Sequence, residues 1–113
     1  MKAFTAGLFA SALMVGQAMA QDMDIAGDYR VEGRNPNGST YSGALVLTQS
    51  GPTVQVGWTV GNDTFNGSGT LEGRVLTVIW QATDPVIYVV MDDGELHGTW
   101  ADGAALEKAV PVN

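Results

Sequence analysis

The sequence predicts an all-β protein, an eight-stranded antiparallel up-and-down barrel, and three observations carry this prediction. Turn-forming runs such as Ser50-Gly51-Pro52 and Asp93-Gly94 recur about every ten residues, the spacing of short strands joined by tight turns. The segments between them are rich in Val, Thr, Trp, Tyr and Ile, and no helical period fits them. Apolar and polar residues alternate in most segments, which is typical of antiparallel sheets with one buried face. Closure into a barrel hides the sheet edges, and a two-sheet β-sandwich is the alternative.

The first twenty residues are predicted to be a cleaved signal peptide. Lys2 supplies the positive start, an apolar run follows at residues 3–15, and Ala18-Met19-Ala20 is a small-residue cleavage site. The apolar run is too short to span a bilayer as a helix. The predicted organisation is therefore a signal peptide at 1–20, an N-terminal arm at 21–26 and a single β-barrel domain at 27–113. The mature protein is expected to be exported, either periplasmic or secreted.

Strand by strand, alternation indicates which side chains point inward. The predicted strands cover residues 27–33, 40–48, 53–60, 64–71, 74–81, 86–92, 95–101 and 105–110. The second, third, fourth and seventh strands each place aromatic or aliphatic residues on one face and Thr, Ser, Asn, Gln or Glu on the other. Glycines such as Gly43, Gly67 and Gly98 share the inward face with aromatic rings. Inward glycines let a small sheet curve and leave room for a neighbouring ring.

Charge excludes some partners. Without Lys2 the mature chain keeps 4 basic residues against 12 acidic ones, so its net charge is 4 − 12 = −8. Such a charge favours solubility and repels nucleic acid, whose binding needs clustered Lys and Arg. The predicted strands are also shorter than those of outer-membrane barrels, and their outward positions are mostly polar. We expect a protein that binds no nucleic acid and does not span a membrane.

Catalytic and metal-binding patterns are weak, so no enzyme activity and no cofactor are expected. His97 is the one histidine, it lies on a predicted outward face, and there is no cysteine, which leaves too few ligands for zinc. The run Asp92-Asp93-Gly94-Glu95 lacks the spacing of a calcium loop and instead matches a hairpin turn. The remaining acids are expected at turns and outward positions, with no carboxylate pair facing inward. No catalytic or metal-binding residue is therefore predicted.

Seven aromatic side chains are predicted to point into the barrel, and they are the candidate ligand-binding residues. They could line a cup for a small apolar ligand, or they could be the packed core that a small domain without disulfides needs. Both interpretations stay open on the sequence alone. The seven are Tyr29, Tyr41, Trp58, Phe65, Trp80, Tyr88 and Trp100.

The fifth and sixth predicted strands break the alternation because apolar residues occupy both of their faces. Either another part of the chain covers the outer face, or this face is a surface for a protein partner or a weak homodimer. The candidate partner-surface residues are Val75, Ile79, Ile87 and Val89.

Residues 27–43, with the sequence GDYRVEGRNPNGSTYSG, resemble a group of small exported bacterial β-barrel proteins. The shared pattern is roughly G-x-Y-x-V-x-G-x-N-P-x-G-S-x-Y-x-G, and downstream segments, including D-G-x-L-x-G-x-W, also fit. The group is largely uncharacterised, and the label "fibronectin-binding" is sometimes attached to it. The resemblance implies a secreted small β-barrel and no particular activity.

The run Asp24-Ile25-Ala26-Gly27-Asp28-Tyr29 is similar to the opening of periplasmic inhibitors of bacterial metalloproteases, which are also eight-stranded barrels. This similarity implies an N-terminal arm that enters a protease cleft, and its candidate residues are Gln21, Asp22, Met23 and Asp24. Those inhibitors carry a disulfide that this chain lacks. The functional expectation is thus a non-catalytic exported binding module for a small apolar ligand or a protein partner. The alternative is a periplasmic protease inhibitor.

Overall fold

The computed structural model describes residues 23–112, and its eight antiparallel strands form a closed barrel in chain order. The first and last strands pair from Tyr29↔Pro111 to Arg34↔Leu106, which closes the sheet on itself. This pairing confirms the predicted up-and-down barrel rather than the sandwich. The strands are β1 Gly27–Arg34, β2 Thr40–Ser50, β3 Thr53–Val60, β4 Asp63–Glu72, β5 Val75–Ile79, β6 Val86–Val90, β7 Leu96–Trp100 and β8 Ala105–Pro111.

Three hairpins use two-residue loops that begin with glycine. Gly51, Gly61 and Gly73 each have φ of 60°, the positive angle that the first position of a type II′ turn requires. This turn type matches the right-handed twist of the flanking strands. The regular glycine punctuation of the sequence therefore corresponds to real hairpin tips.

The Asn-Pro-Asn-Gly-Ser run at 35–39 connects β1 to β2. Asn35 is half-buried, and its amide N–H donates to the Ser39 carbonyl at 2.8 Å, while residues 36–39 are exposed. Gly38 has a positive φ of 92°. The Asn37 side-chain oxygen accepts hydrogen bonds from the Ser39 backbone N–H and hydroxyl at 3.0 and 2.7 Å. The run is a hairpin tip with one residue, Asn35, turned toward the barrel.

The core follows the predicted alternation in β2, β3 and β4. Leu45, Leu47, Val54 and Val56 are buried, while the residues between them on these strands are exposed or half-buried. Leu76, Tyr88 and Leu96 complete the interior from the other side of the barrel and are fully buried. Each strand therefore contributes inward side chains to one contiguous cluster.

The two ends of the barrel differ. We call base the end that carries loops 51–52, 73–74 and 91–95, and mouth the end that carries loops 35–39, 61–62, 80–85 and 101–104. At the base, Gln49 accepts a hydrogen bond from the Ile25 N–H at 2.8 Å and donates one to the Met23 carbonyl at 2.7 Å. The Tyr29 hydroxyl donates to the Ile25 carbonyl at 2.6 Å. Ile25 is buried and Met23 packs against the core, so residues 23–26 close the base.

The outer face of β5 and β6 carries the apolar residues expected there. Val75, Ile79, Ile87 and Val89 are 41%, 63%, 38% and 42% exposed. Val75 pairs with Val89 across the two strands, which brings these side chains into one patch. In residues 23–112 no other segment packs over this face as a separate strand or helix.

Part of the predicted organisation lies outside the described residues. The predicted signal peptide at 1–20, together with Gln21 and Asp22, belongs to that part of the chain. Within residues 23–112, no helix is long and apolar enough to cross a membrane.

Candidate functional site

An aromatic cup lies at the mouth of the barrel. Trp80 is its centre, with ring centroids 5.9 Å from Trp58, 6.1 Å from Phe65 and 6.0 Å from Trp100. Tyr41 extends the group, with its ring centroid 6.3 Å from that of Trp100. All four contacts are tilted or edge-to-face, which is a favourable geometry for aromatic pairs. Together the five rings surround a cavity of about 200 Å³, which Asn35, Val60 and Val86 also line.

Strand ends explain why these rings meet. Trp58 is near the end of β3, Phe65 is near the start of β4, and Trp100 ends β7, so antiparallel order brings all three to the mouth. Trp80 directly follows β5, and its indole N–H donates to the Asp84 carbonyl at 3.0 Å. This hydrogen bond fixes the indole against the 80–85 connection. The cup is therefore assembled from several hairpins, with Trp80 held by its own loop.

Glu107 on β8 forms the floor of the cup, and it is the one buried acidic residue within the described chain, at 7% exposure. The Tyr41 hydroxyl donates to Oε1 at 2.7 Å. The Tyr88 hydroxyl donates to Oε2, and the Trp58 indole N–H is shared between the Tyr88 hydroxyl at 2.9 Å and Oε2 at 3.1 Å. The Trp100 indole N–H in turn donates to the Tyr41 hydroxyl at 3.0 Å. A single carboxylate thus organises two tyrosines and, directly or through Tyr41, two tryptophans.

Two glycines make room for this arrangement. Glu107 pairs with Gly33 of β1 on one side and with Gly98 of β7 on the other. A side chain at Gly33 would overlap the Tyr41 ring, and one at Gly98 would overlap the Tyr88 ring. Each tyrosine therefore crosses a glycine to reach the carboxylate. The inward glycines of these strands serve the hydrogen-bond network as well as the curvature.

Both tyrosine hydroxyls in the network hold their protons firmly. Burial, followed by the adjacent Glu107 charge, raises the pKa of Tyr41 above its ordinary value. The same two causes raise the pKa of Tyr88 well above its ordinary value. A tyrosine that stays protonated remains a hydrogen-bond donor. The two hydroxyls are therefore persistent donors to the carboxylate.

Glu107 has no basic partner within residues 23–112. The ion pairs of this part of the chain are Arg74–Asp92 and His97–Glu95, and both lie at the surface. A carboxylate offers about four lone-pair positions. Oε1 accepts one donor and Oε2 accepts two, so Oε1 retains acceptor capacity.

The sequence-predicted aromatic residues divide into three groups. Tyr41, Trp58, Phe65, Trp80 and Trp100 line the cavity. Tyr88 is fully buried and contacts the cup through the network. Tyr29 is buried at the base, bonded to the Ile25 carbonyl, and lies away from the cup. Tyr29 and Tyr88 are therefore core residues and the other five line the cavity, while ligand binding by those five stays a prediction.

The expectation that acidic residues lie at turns and outward positions was wrong for Glu107. On β8 the inward face carries Ala105, Glu107 and Ala109, whereas Leu106 and Lys108 point outward, with Leu106 56% exposed. Hydrophobicity alone favours the opposite phase, because the outward face contains the larger apolar residue. What places Glu107 inward is its pairing with inward Gly33 and Gly98, which depends on the register of the closed barrel and is not a local sequence signal.

The described residues of the N-terminal arm, His97 and the acidic turn that the sequence analysis considered all lie away from the cup. The Met23 carbonyl accepts a hydrogen bond from Gln49 at the base. Asp24 is exposed, and its carboxylate accepts a hydrogen bond from the Ala26 N–H at 3.1 Å.

His97 is on the outer face of β7 and contacts Glu95 at 2.9 Å. Residues 91–94 form the β6–β7 turn. Within residues 23–112, no three His, Cys, Asp or Glu side chains are grouped closely enough to hold a metal ion.

Comparisons with known proteins bear on the fold alone. No protein-family model matches the chain, and no curated protein matches it. A redesigned β-barrel of known structure is similar, with a TM-score of 0.57 and 15% identity over 79% of this chain and 92% of that one. This similarity agrees with the closed barrel and carries no information on activity.

Proposed function

We propose that the protein is an exported, non-catalytic binding protein that holds a small ligand with apolar surface in the aromatic cup. The supporting observation is that Tyr41, Phe65, Trp80 and Trp100 are only partly buried around a cavity of about 200 Å³. A protein that needed these rings only for its core would gain by burying them fully. Concave sites lined by aromatic side chains with a few polar groups are typical ligand sites.

Export is supported by the N-terminal pattern of Lys2, the apolar run at 3–15 and the small-residue cleavage site. The absence of catalysis is the simpler proposal for Glu107, because its neighbours are neutral donors. Acid–base catalysis by a carboxylate commonly relies on a second titratable group of a different role. Here, Tyr41 and Tyr88 are held in their protonated forms.

A matched pair of substitutions on β3 tests the cup. Val60 lines the cavity, whereas the adjacent Thr59 is exposed on the outer face. Cyclohexanol, a compact ligand with an apolar ring, is titrated while tryptophan fluorescence is recorded, since all 3 tryptophans of the chain lie in the cup. We expect saturable fluorescence changes in the wild type and in Thr59→Phe, and a loss of at least about tenfold in affinity in Val60→Phe. No saturable change in the wild type would contradict the proposal.

A second proposal concerns the patch formed by Val75, Ile79, Ile87 and Val89. We propose that it supports weak association with a second copy of the chain. The supporting observation is that four apolar side chains are 38–63% exposed on two adjacent strands. A stable interface needs about 800 Å² per partner, which is more than two short strands supply, and the net negative charge opposes contact.

Sedimentation velocity at rising protein and salt concentration measures this association. We expect a concentration-dependent dimer that high salt strengthens and that Ile79→Ser abolishes. Val46→Ser is the control, because Val46 is a similarly exposed valine on β2. A wild type that stays monomeric throughout would remove the patch from consideration.

A further inference from the structure

We propose that the ligand of the cup is a small organic cation, an alkylammonium ion, whose charge is paired with Glu107 and whose alkyl groups lie against the aromatic rings. This inference rests on the proposed function, because it names the ligand class of the same cavity. It depends on three features of the site: an acidic floor without a counter-ion, a wall of aromatic rings, and a small volume.

No basic side chain of the described residues lies within ion-pairing distance of the carboxylate at the floor. Carboxylates are seldom buried without a positive partner, because their desolvation is costly. Glu107 is 7% exposed and its protein contacts are the neutral groups of Tyr41, Tyr88 and Trp58. These hydrogen bonds offset part of the cost but leave the net charge in place. A cation in the cavity supplies the missing opposite charge.

The unused hydrogen-bond acceptor capacity of Glu107 Oε1 also supports a cationic ligand. Oε1 accepts only the Tyr41 hydroxyl, whereas Oε2 accepts Tyr88 and Trp58. Glu107 also belongs to the cavity lining, so the carboxylate borders the space that a ligand would occupy. An ammonium N–H is a donor and a positive charge in one group, and its hydrogen bond to a carboxylate is of the stronger, charge-assisted kind.

The wall of the cup suits a cation better than a neutral or anionic ligand. Aromatic rings attract cations electrostatically, Trp most strongly, and cages of such rings bind alkylated ammonium groups. Here Trp58, Trp80 and Trp100 stand in one connected cluster with Tyr41 and Phe65. An anion would meet the Glu107 charge, and a neutral ligand would leave that charge unpaired.

The size of the cavity and the negative charge of the protein further restrict the class of ligand. The cavity of about 200 Å³ is smaller than the roughly 300–1,000 Å³ of pockets for drug-sized ligands, which indicates a compact molecule of few non-hydrogen atoms. The chain carries 12 acidic residues against 5 basic ones. A negative protein field raises the local concentration of cations and speeds their association.

The test compares tert-butylammonium with tert-butanol, two ligands of nearly equal shape that differ in charge. Binding is followed by the three indole N–H signals in NMR, at constant ionic strength set with sodium chloride. Each indole reports on a different neighbourhood: Trp58 on Glu107 and Tyr88, Trp100 on Tyr41, and Trp80 on the Asp84 carbonyl. We expect tert-butylammonium to bind about 10- to 100-fold more tightly than tert-butanol, with the Trp58 signal moving most.

Substitution of the acidic floor adds a second measurement. Glu107→Gln keeps the side-chain shape and removes the charge, and we expect it to abolish the preference for the cation. Glu72→Gln makes the same charge change at an exposed position near the base and is expected to keep the preference. Should Glu107→Gln fail to fold, the wild-type comparison of the two ligands still decides the question.

The possible results separate this inference from the proposed function. Tighter binding of tert-butylammonium that depends on Glu107 supports both. Equal binding of the two ligands, or a preference that survives Glu107→Gln, overturns the cation while leaving the cup as a binding site. Failure of tert-butylammonium, tert-butanol and cyclohexanol alike to move any indole signal overturns both.

Discussion

At the base of the barrel Ile25 and Tyr29 are buried and Gln49 ties down the N-terminal residues, whereas at the mouth Trp80 and Trp100 stay half-exposed around a cavity. The base satisfies its polar groups within the chain and closes. The mouth gathers rings around a buried carboxylate and stays open. The base therefore serves stability, whereas the mouth carries the site that we propose for ligand binding.

The largest effect is expected from truncating the packed interior toward the base. Leu47 is 1% exposed and pairs with Gly27 and Val56. Leu47→Ala should lower the free energy of unfolding by about 2–5 kcal/mol, because it leaves a cavity in a close-packed core. Val60→Ala at the mouth should cost about 1 kcal/mol or less, since Val60 already borders open space. Urea unfolding measures both, and equal losses would contradict the division between the ends.

The next effect concerns the glycines beside Glu107. A Cβ at Gly98 would lie 2.5 Å from Tyr88 Cδ1 and 2.7 Å from the Ile87 carbonyl oxygen. Gly98→Ala should therefore cost about 1–3 kcal/mol through overpacking. Gly57→Ala is the control, because its nearest neighbour would be Asn66 Oδ1 at 3.6 Å, and it should change stability by about 0.5 kcal/mol or less. A harmless Gly98→Ala would show that Tyr88 does not need this gap.

Gly33→Ala should act on the site more than on stability. The group in its way is the outer end of the Tyr41 ring, which can swing aside. We expect Tyr41 to lose its hydrogen bond to Glu107 and its pKa to fall toward the ordinary tyrosine value. Spectrophotometric titration of the tyrosines detects this change. An unaltered titration curve would mean that Tyr41 keeps its place beside the carboxylate.

Alkaline pH should weaken the fold through the tyrosines. Burial, with nearby negative charge, raises the pKa of Tyr29, Tyr41 and Tyr88 in the folded protein. Unfolded tyrosine ionises near pH 10, so above that pH the unfolded state loses protons that the folded state keeps, and stability falls. Below pH 10 this contribution is fully present. Urea unfolding between pH 8 and 11 should show the decline, and Tyr88→Phe should make it shallower; an identical pH dependence in that variant would count against the network.

The smallest effect is expected at the rim of the mouth. Ala101 has φ of 52° in the β7–β8 turn, a left-handed conformation that is unfavourable for alanine. Ala101→Gly should stabilise the protein by up to about 1 kcal/mol, whereas Ala104→Gly in the same turn should destabilise it by about 0.5–1 kcal/mol. Thermal unfolding of the two variants measures the contrast, and the same sign in both would show that Ala101 carries no strain.

The sequence predicted the barrel well because alternation and turn residues are local signals. Residues from Tyr41 to Leu71 alternate clearly, and the inward set of β2, β3 and β4 is the buried set. The placement of rings at the two ends depends on how far along its strand each ring lies. Tyr29 stands near the start of β1 and faces the base, whereas Trp58 stands near the end of β3 and faces the mouth.

Glu107 could not be found in the same way. Its strand has no large apolar residue on the inward face, so the pattern ALEKAV favours the opposite phase. The floor of the cup depends on cross-strand neighbours that are distant in sequence, such as Tyr41, which is 66 residues away. Contacts of this kind follow from barrel closure and register rather than from any local motif.

A residue-by-residue NMR map of backbone amides in the presence of saturating tert-butylammonium shows whether the mouth binds the ligand and the base serves stability alone. We expect the signals that shift to belong to the mouth, near Asn35, Trp80 and Trp100, and to the neighbours of Glu107. Amides near Ile25 and Gln49 at the base should stay in place. Shifts centred on the base, or spread evenly over the barrel surface, would contradict this expectation.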